Sequence, residues 1–446
     1  MKKRVEKRKS LLIISLCLCA LSLANGFFSP PPAKAADKAL IQQSDFSYLG
    51  SFLMPASGVS GDPTFGKGLT HRYVNGELRM FSTSWSPQVI YEVKVPALTD
   101  PPQTAQVVRD WGNVTGNKQY TASGTSAING LYWDETDKRL YWNYGDPYNM
   151  TGNDPSFGYS TLNDTTGTST PVGAWRMPEG DKATDACVLS IPQWFASAYT
   201  DGKRLGAGCG SYRSIATSGP ASMGPFLTAF SPPASTQADR SLLASLTLVG
   251  YPFVDTAGTP YSTPDRAHRD TNYSGDGDWV AWPPNNGIGY FTAGDAMLQA
   301  GVWIDLPDKS GLFYFPTLCT GHCRYGLPEA ATIMGDGASH WWYGYNPSDL
   351  ALVAQGGKQQ WEIQATVKWQ VQYPGLSYPL GGWRDLPPNM VTGVTYDSTT
   401  RRLYVAVEFA GPGGAYGVHR VCVYEVRAGS ASDITVPAPP QKVRVR

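Results

Sequence analysis

The sequence predicts an all-β fold, a β-propeller counted as six blades. Three observations carry this expectation: a thirteen-residue phrase written near both ends of the chain and echoed once more, a shared strand that closes the first and last units, and a scarcity of helical pattern.

Gly130 to Trp142 reads GLYWDETDKRLYW, and Gly393 to Val405 reads GVTYDSTTRRLYV. Each is a glycine, an apolar residue, an aromatic, an Asp, a polar turn, then Arg, Leu and Tyr. Two alternating strands about a polar turn make a hairpin. A third copy, GLTHRYVNGELRM from Gly68 to Met80, keeps the glycine-to-leucine spacing and turns at Asn75-Gly76. Tyr91-Glu92-Val93 follows that copy and Tyr424-Glu425-Val426 follows the last, so the two units close alike. A hairpin followed by further strands, recurring at roughly 50–60 residues, is how propeller blades read in sequence. Between the clear copies lie degenerate ones: ACVLSIP with KRLGAGCG, DWVAWPPNNGIGYFTAG, and ATIMGDGASHWWYGYNP. Units beginning near residues 68, 130, 185, 278, 330 and 393 give six blades, and the long 185–278 interval leaves five or seven open. A two-domain β-sandwich would also show many short strands, but nothing in it requires one hairpin phrase at both ends of the chain. Helices are expected to be scarce, with short ones best placed at PQWFASAYT and PSDLALVAQGG.

The first 35 residues carry six Lys/Arg among the first nine, then an apolar run, then Ala33-Lys34-Ala35. That is the three-part pattern of a secretory signal peptide. The domain plan is therefore a signal peptide over 1–35, one propeller over 36–430 and a flexible tail over 431–446. A strand at DFSYLGSFLMP is expected to complete the last blade, although sequence leaves open which end closes the ring. The remaining 29 basic and 35 acidic residues leave a net charge of −6 with no basic run. A secreted, monomeric protein with no membrane span after processing and no nucleic-acid partner is expected.

Five cysteines follow residue 35: Cys187, Cys209, Cys319, Cys323 and Cys422. In an oxidising compartment this allows two bridges. The expected pairs are Cys319–Cys323, closing a tight turn, and Cys187–Cys209, with Cys422 buried in a strand. Zinc at Cys319, His322 and Cys323 would lack a fourth ligand.

The opening LIQQSDFSYLGSFLMP, the blade phrases and YGYNPSDLALVAQGGKQQWEIQATVKW resemble a group of secreted bacterial β-propeller proteins. The resemblance covers most of the chain after residue 35 and implies the fold and export. Its motifs are structural, so it implies no activity and no catalytic residue.

Functional candidates come from composition and local chemistry. Fourteen Trp and 25 Tyr stand against 15 Phe, an excess of rings with a flat apolar face and a polar tip. Such rings suit saccharides, and Trp85, Trp341, Trp342 and Trp383 stand in or beside predicted loops. The densest polar stretch, TPDRAHRDTNYSGDGDW, gathers Arg266, His268, Arg269 and Tyr273. A lyase acting on a uronate-containing polysaccharide needs a base near a charge-stabilising cation, which makes His268, Arg266 and Tyr273 the local set. His71, standing where the other copies have Trp133 and Tyr396, is a further candidate. Arg269 is a candidate ligand contact. Asp270, Asn272, Ser274, Asp276 and Asp278 alternate like the oxygens of a calcium loop, though Ala281 replaces the glutamate of an EF-hand. No cofactor besides calcium is implied. Glycoside hydrolysis has weaker support, since only eight glutamates follow residue 35 and several fall in blade turns. Nothing supports a Gly-x-Ser-x-Gly nucleophile elbow or a phosphate-cradling loop. Two readings stand at this level: a secreted protein that binds or processes carbohydrate at the channel mouth, or a non-catalytic propeller serving protein interaction.

Overall fold

Each repeated phrase folds as the hairpin its alternation requires. In the computed structural model Gly68–Met80 falls in strands Lys67–Val74 and Glu77–Thr83, joined by Asn75 and Gly76 at φ 52° and 79°. Two successive left-handed residues are what a two-residue turn of this twist needs, hence Asn-Gly. The second phrase forms Ala127–Asp134 and Arg139–Gly145, and the third forms Val391–Asp397 and Arg402–Ala410. The aspartate of the phrase caps its own turn. Asp134 Oδ1 accepts from the Thr136 amide and Asp397 Oδ1 from the Thr399 amide, both at 2.9 Å.

The structure describes residues 38–55, 67–83, 89–118, 127–145, 154–208, 225–250, 278–280, 296–297, 300–320, 322–327, 330–334, 337–374, 391–410 and 416–428. They build a five-bladed β-propeller of antiparallel four-stranded blades. From the innermost strand outward, blade I is Lys67–Val74, Glu77–Thr83, Val89–Lys94 and Gln106–Asn113. Blade II is Ala127–Asp134, Arg139–Gly145, Phe157–Asn163 and Thr168–Trp175; blade III is Cys187–Ser190, Leu205–Gly208, Leu227–Phe230 and Ser245–Val249. Blade IV is Gly301–Asp305, Lys309–Tyr314, Gly337–Tyr345 and Val367–Val371. Blade V runs Val391–Asp397, Arg402–Ala410 and Tyr416–Val426, and its outermost strand is Phe46–Leu53. That strand precedes blade I in sequence and pairs from Phe46 opposite Val426 to Leu53 opposite Arg420. The N-terminal segment therefore closes the ring.

Five is one fewer than the six unit starts, and lies within the five-to-seven range. The units expected from 278 and 330 contribute to one blade. Its hairpin is GVWIDLPDKSGLFY, Gly301 to Tyr314, whose turn contains Pro307 and whose glycine-to-leucine spacing is one residue longer than in the clear copies. Asp278–Val280 pairs instead with His322–Leu327, which pairs with Ala330–Met334 in a separate three-stranded sheet. Thr317–Thr320 extends the blade IV sheet. The CTGHC stretch, expected as one tight turn, is thus divided between two strands of different sheets. The side chains of Cys319 and Cys323, and all of Cys209, lie outside the described residues. Cys187 opens blade III, and Cys422 is buried as a free thiol. Helices form where expected, at Gln193–Tyr199 and Pro347–Ala354, and a further single turn not expected from the sequence forms at Asp181–Thr184. Among the described residues no helix is long and apolar enough to cross a membrane. The segments 1–35 and 431–446 lie outside them.

The core sits between blades, one apolar cluster at each of the five interfaces. Because successive strand residues point to opposite sheet faces, one strand serves two interfaces. Leu140 and Trp142 face blade I while Tyr141 faces blade III; Leu403, Val405 and Val407 face blade IV while Tyr404 and Ala406 face blade I. Trp142, Trp175 and Trp342 are fully buried in this packing, each stabilising the ring by about 1.5–3 kcal/mol. A large part of the aromatic excess is consumed there.

Candidate functional site

The five innermost strands enclose a cavity of about 630 Å³. The residue after the repeated glycine, or after Cys187 in blade III, supplies one apolar group per blade to its lining: Leu69, Leu131, Val188, Val302 and Val394. Beyond this collar the strands approach their hairpin turns, and the lining changes to His71 and Tyr73 (blade I), Trp133 and Glu135 (blade II), Trp303 and Asp305 (blade IV), and Tyr396 and Asp397 (blade V). Blade III has no Asp in its phrase. The segment after it contributes Gln193 and Trp194 from the start of the following helix.

Asp397 is the most enclosed of the carboxylates here, its side chain 2% exposed. Tyr73 Oη donates to its Oδ2 at 2.6 Å and Thr400 Oγ1 at 2.5 Å. Burial pushes this carboxyl up, but the bonds from Thr400, Tyr73 and the Thr399 amide outweigh it and hold it below the usual aspartate range. His71 Nε2 lies 3.8 Å from Asp397 Oδ1 and its Nδ1 is 2.8 Å from Thr395 Oγ1. Burial lowers the His71 pKa against the opposing pull of Asp397, so the ring is neutral at neutral pH. Burial also raises Tyr73, reinforced by the bond it donates to Asp397. Tyr396 is pushed up to about 12 by burial, and its hydroxyl has no hydrogen-bond partner.

The other carboxylates are matched to cations. Asp305 Oδ1 accepts from Lys38 Nζ at 2.8 Å and from Trp194 Nε1 at 3.0 Å. Glu135 is 63% exposed, pairs with Lys138 and accepts from Trp133 Nε1 at 2.6 Å. Arg72 stands at the phrase's aspartate position in blade I, and its charge is spent inside the protein. It grips Glu92 at 2.9 and 2.8 Å and Asp164 at 3.1 and 2.6 Å. Its guanidinium lies 5.1–5.5 Å from the rings of Phe81, Trp111 and Trp133.

Of the sequence candidates, His71 lies in the cavity lining. Trp342 is not a loop residue: it lies in the third strand of blade IV, 1% exposed, with Nε1 donating to Tyr373 Oη at 2.9 Å. Trp341 is in the same strand, half-buried and packed against the core between blades III and IV. Both were expected in or beside a loop; pairing with Gln370 and Trp369 of the next strand holds them inside the sheet instead. Trp85, Arg266, His268, Arg269, Tyr273, Trp383, Asp270, Asn272, Ser274 and Asp276 lie outside the described residues. Asp278 opens a strand, and its side chain also lies outside them. Among the described residues no group of three or more His, Cys, Asp or Glu is arranged to hold a metal ion. Trp133, Trp194, Trp303, Glu135, Asp305, Tyr396 and Asp397 were missed as site residues. For Trp133, Glu135, Tyr396 and Asp397 the signal was present: in a propeller the repeated hairpin lines the channel, so its third to sixth positions are the ones to inspect. Trp194, by contrast, lies in a helix outside the phrase, and Trp303 and Asp305 lie in a hairpin that departs from it.

The fold and the cavity define a five-bladed propeller with an aromatic and acidic channel end. No family model and no curated protein sequence matches the chain. Among solved structures it is similar to a candidate glycoside hydrolase from Bacteroides ovatus, with 10% identity over 87% of this chain and 98% of that one, at a TM-score of 0.41. An exo-β-1,3-galactanase from Phanerochaete chrysosporium matches at 8% identity, 84% and 64% coverage and a TM-score of 0.39. An α-L-arabinofuranosidase from Podospora anserina matches at 10%, 87% and 98%, and 0.38. At these scores the likenesses decide nothing about what this chain binds. The five-bladed ring rests on its own strand order.

Proposed function

We propose that this protein binds or processes carbohydrate, seating a saccharide in its central channel. The observation that carries the reading is the lining itself: Trp133, Trp194, Trp303, Tyr73 and Tyr396 converge with three carboxylates in one cavity of about 630 Å³. Sites for small ligands run roughly 300–1,000 Å³ and combine apolar walls with a few placed polar groups. A sugar offers a C–H face to a ring and hydroxyls to carboxylates, so the two halves of this lining suit its two kinds of surface. If the site is catalytic, His71 is the group to move a proton, because a neutral imidazole next to Asp397 is a base, whereas Tyr73 already donates its proton to that carboxylate. The uronate-directed lyase reading draws on Arg266, His268 and Tyr273 in addition.

The test is a screen of the purified protein against acidic and neutral polysaccharides, with and without calcium, following absorbance at 235 nm and reducing ends together. Absorbance marks elimination, and reducing ends alone mark hydrolysis. A glycan that only shifts the melting temperature marks a binding module. Silence on every glycan overturns the reading in favour of a protein-interaction propeller.

A further inference from the structure

The described channel end contains three carboxylates, Glu135, Asp305 and Asp397, and no cation free to meet an anionic ligand. Arg72 lines the cavity yet is 4% exposed and committed to Glu92 and Asp164. Lys38 and Lys138 offset Asp305 and Glu135 respectively. Asp397 is left: its nearest titratable base is His71, which is neutral, and its other partners are hydroxyls and an amide. One negative charge, on the 2%-exposed Asp397, thus stands behind the lining without a cationic counterpart and acts on the cavity through its field, beside the aromatic side chains of the lining. A uronate carboxylate brought here would meet like charge in a poorly screened site. An ammonium group would meet opposite charge and aromatic faces, the combination that recognises organic cations.

Resting on the carbohydrate reading above, we infer that the saccharide this channel selects bears a protonated amine: an amino sugar, rather than a uronate or a neutral sugar. Selectivity comes from Asp397, while Asp305 cancels the charge of Lys38, which its removal would leave uncompensated beside the channel.

The experiment is calorimetric titration of the full chain with three probes of equal length: glucosamine oligomers, their N-acetylated counterparts and oligogalacturonate, at low and at high salt. The expected result is at least tenfold tighter binding of the glucosamine oligomer than of the acetylated one. That advantage should shrink at high salt and in Asp397→Asn. Since Asp397 also caps a turn, Asp305→Asn is the second variant, and it too should narrow the preference. Equal binding of the acetylated oligomer, or tighter binding of oligogalacturonate, overturns the amino-sugar assignment and leaves the carbohydrate reading standing. A preference unchanged in both variants overturns the role given to these carboxylates. If none of the three probes binds, while the wider screen finds another glycan, the inference alone falls; silence in both takes the carbohydrate reading with it.

Discussion

Tyr73 on blade I donates a 2.6 Å hydrogen bond to Asp397 on blade V. The contact crosses the seam where the first blade meets the last, and Asp397 at the same time caps the hairpin turn that presents it. Tyr73→Phe leaves this enclosed carboxylate one donor short, with its other partners in place. A loss of about 1–3 kcal/mol is expected, read as a lower urea midpoint with an unchanged slope. A variant as stable as the parent would mean that the seam draws nothing from this bond.

The Arg72–Glu92 pair should be the most sensitive polar contact in the ring. Glu92 is 0% exposed, and besides Arg72 it accepts from Trp111 Nε1 at 3.0 Å. Removing the guanidinium alone, as in Arg72→Met, leaves the buried carboxylate with the more distant Arg79, 3.8 Å away, and is expected to cost about 3–5 kcal/mol. The double variant Arg72→Met with Glu92→Gln should recover part of that loss. Equal stability of the single and double variants in chemical denaturation would show that the charge is not what matters.

Acid should weaken the fold before the carboxylates titrate. Burial lowers His340 from its ordinary 6.5 to about 4, and lowers His71 in the same direction. Between those values the unfolded chain binds more protons than the folded one, so stability is fully present above about pH 6.5 and declines as pH falls toward 4. Each such histidine contributes a slope of up to ~1.4 kcal/mol per pH unit. Urea midpoints measured from pH 7 to 4.5 should fall accordingly, and His340→Gln should flatten the curve. A flat profile in the parent would rule out burial of neutral histidines as the acid-sensitive element.

Cys422 is 0% exposed in the middle of the third strand of blade V, and burial pushes its thiol up to about 12. The thiolate is the reactive form. Iodoacetamide at mildly alkaline pH should therefore leave the Cys422 peptide unmodified in the folded protein and modify it fully in urea, as read by mass spectrometry. Labelling of the native chain at this residue would show that blade V opens on the labelling timescale.

The sequence by itself determined the hairpins, and through them the kind of fold. Glycine, Asp and alternation are local instructions: the Asp caps the turn two residues ahead, and Asn75-Gly76 supplies two left-handed residues. The two helices and the strand quality of DFSYLGSFLMP were legible for the same reason. Only the tertiary structure decided the number of blades, because Gly301–Tyr314 belongs to the repeat by its pairing while its turn departs from the phrase. It also decided that Phe46–Leu53 closes the ring, since pairing partners 367 to 380 residues apart leave no local mark. The same holds for the aromatics. Composition counts Trp and Tyr alike, whereas packing between blades buries Trp342 and leaves Trp194 only partly covered beside the channel. Which of two faces a ring points to is set by the neighbouring blade, not by the residue's own strand.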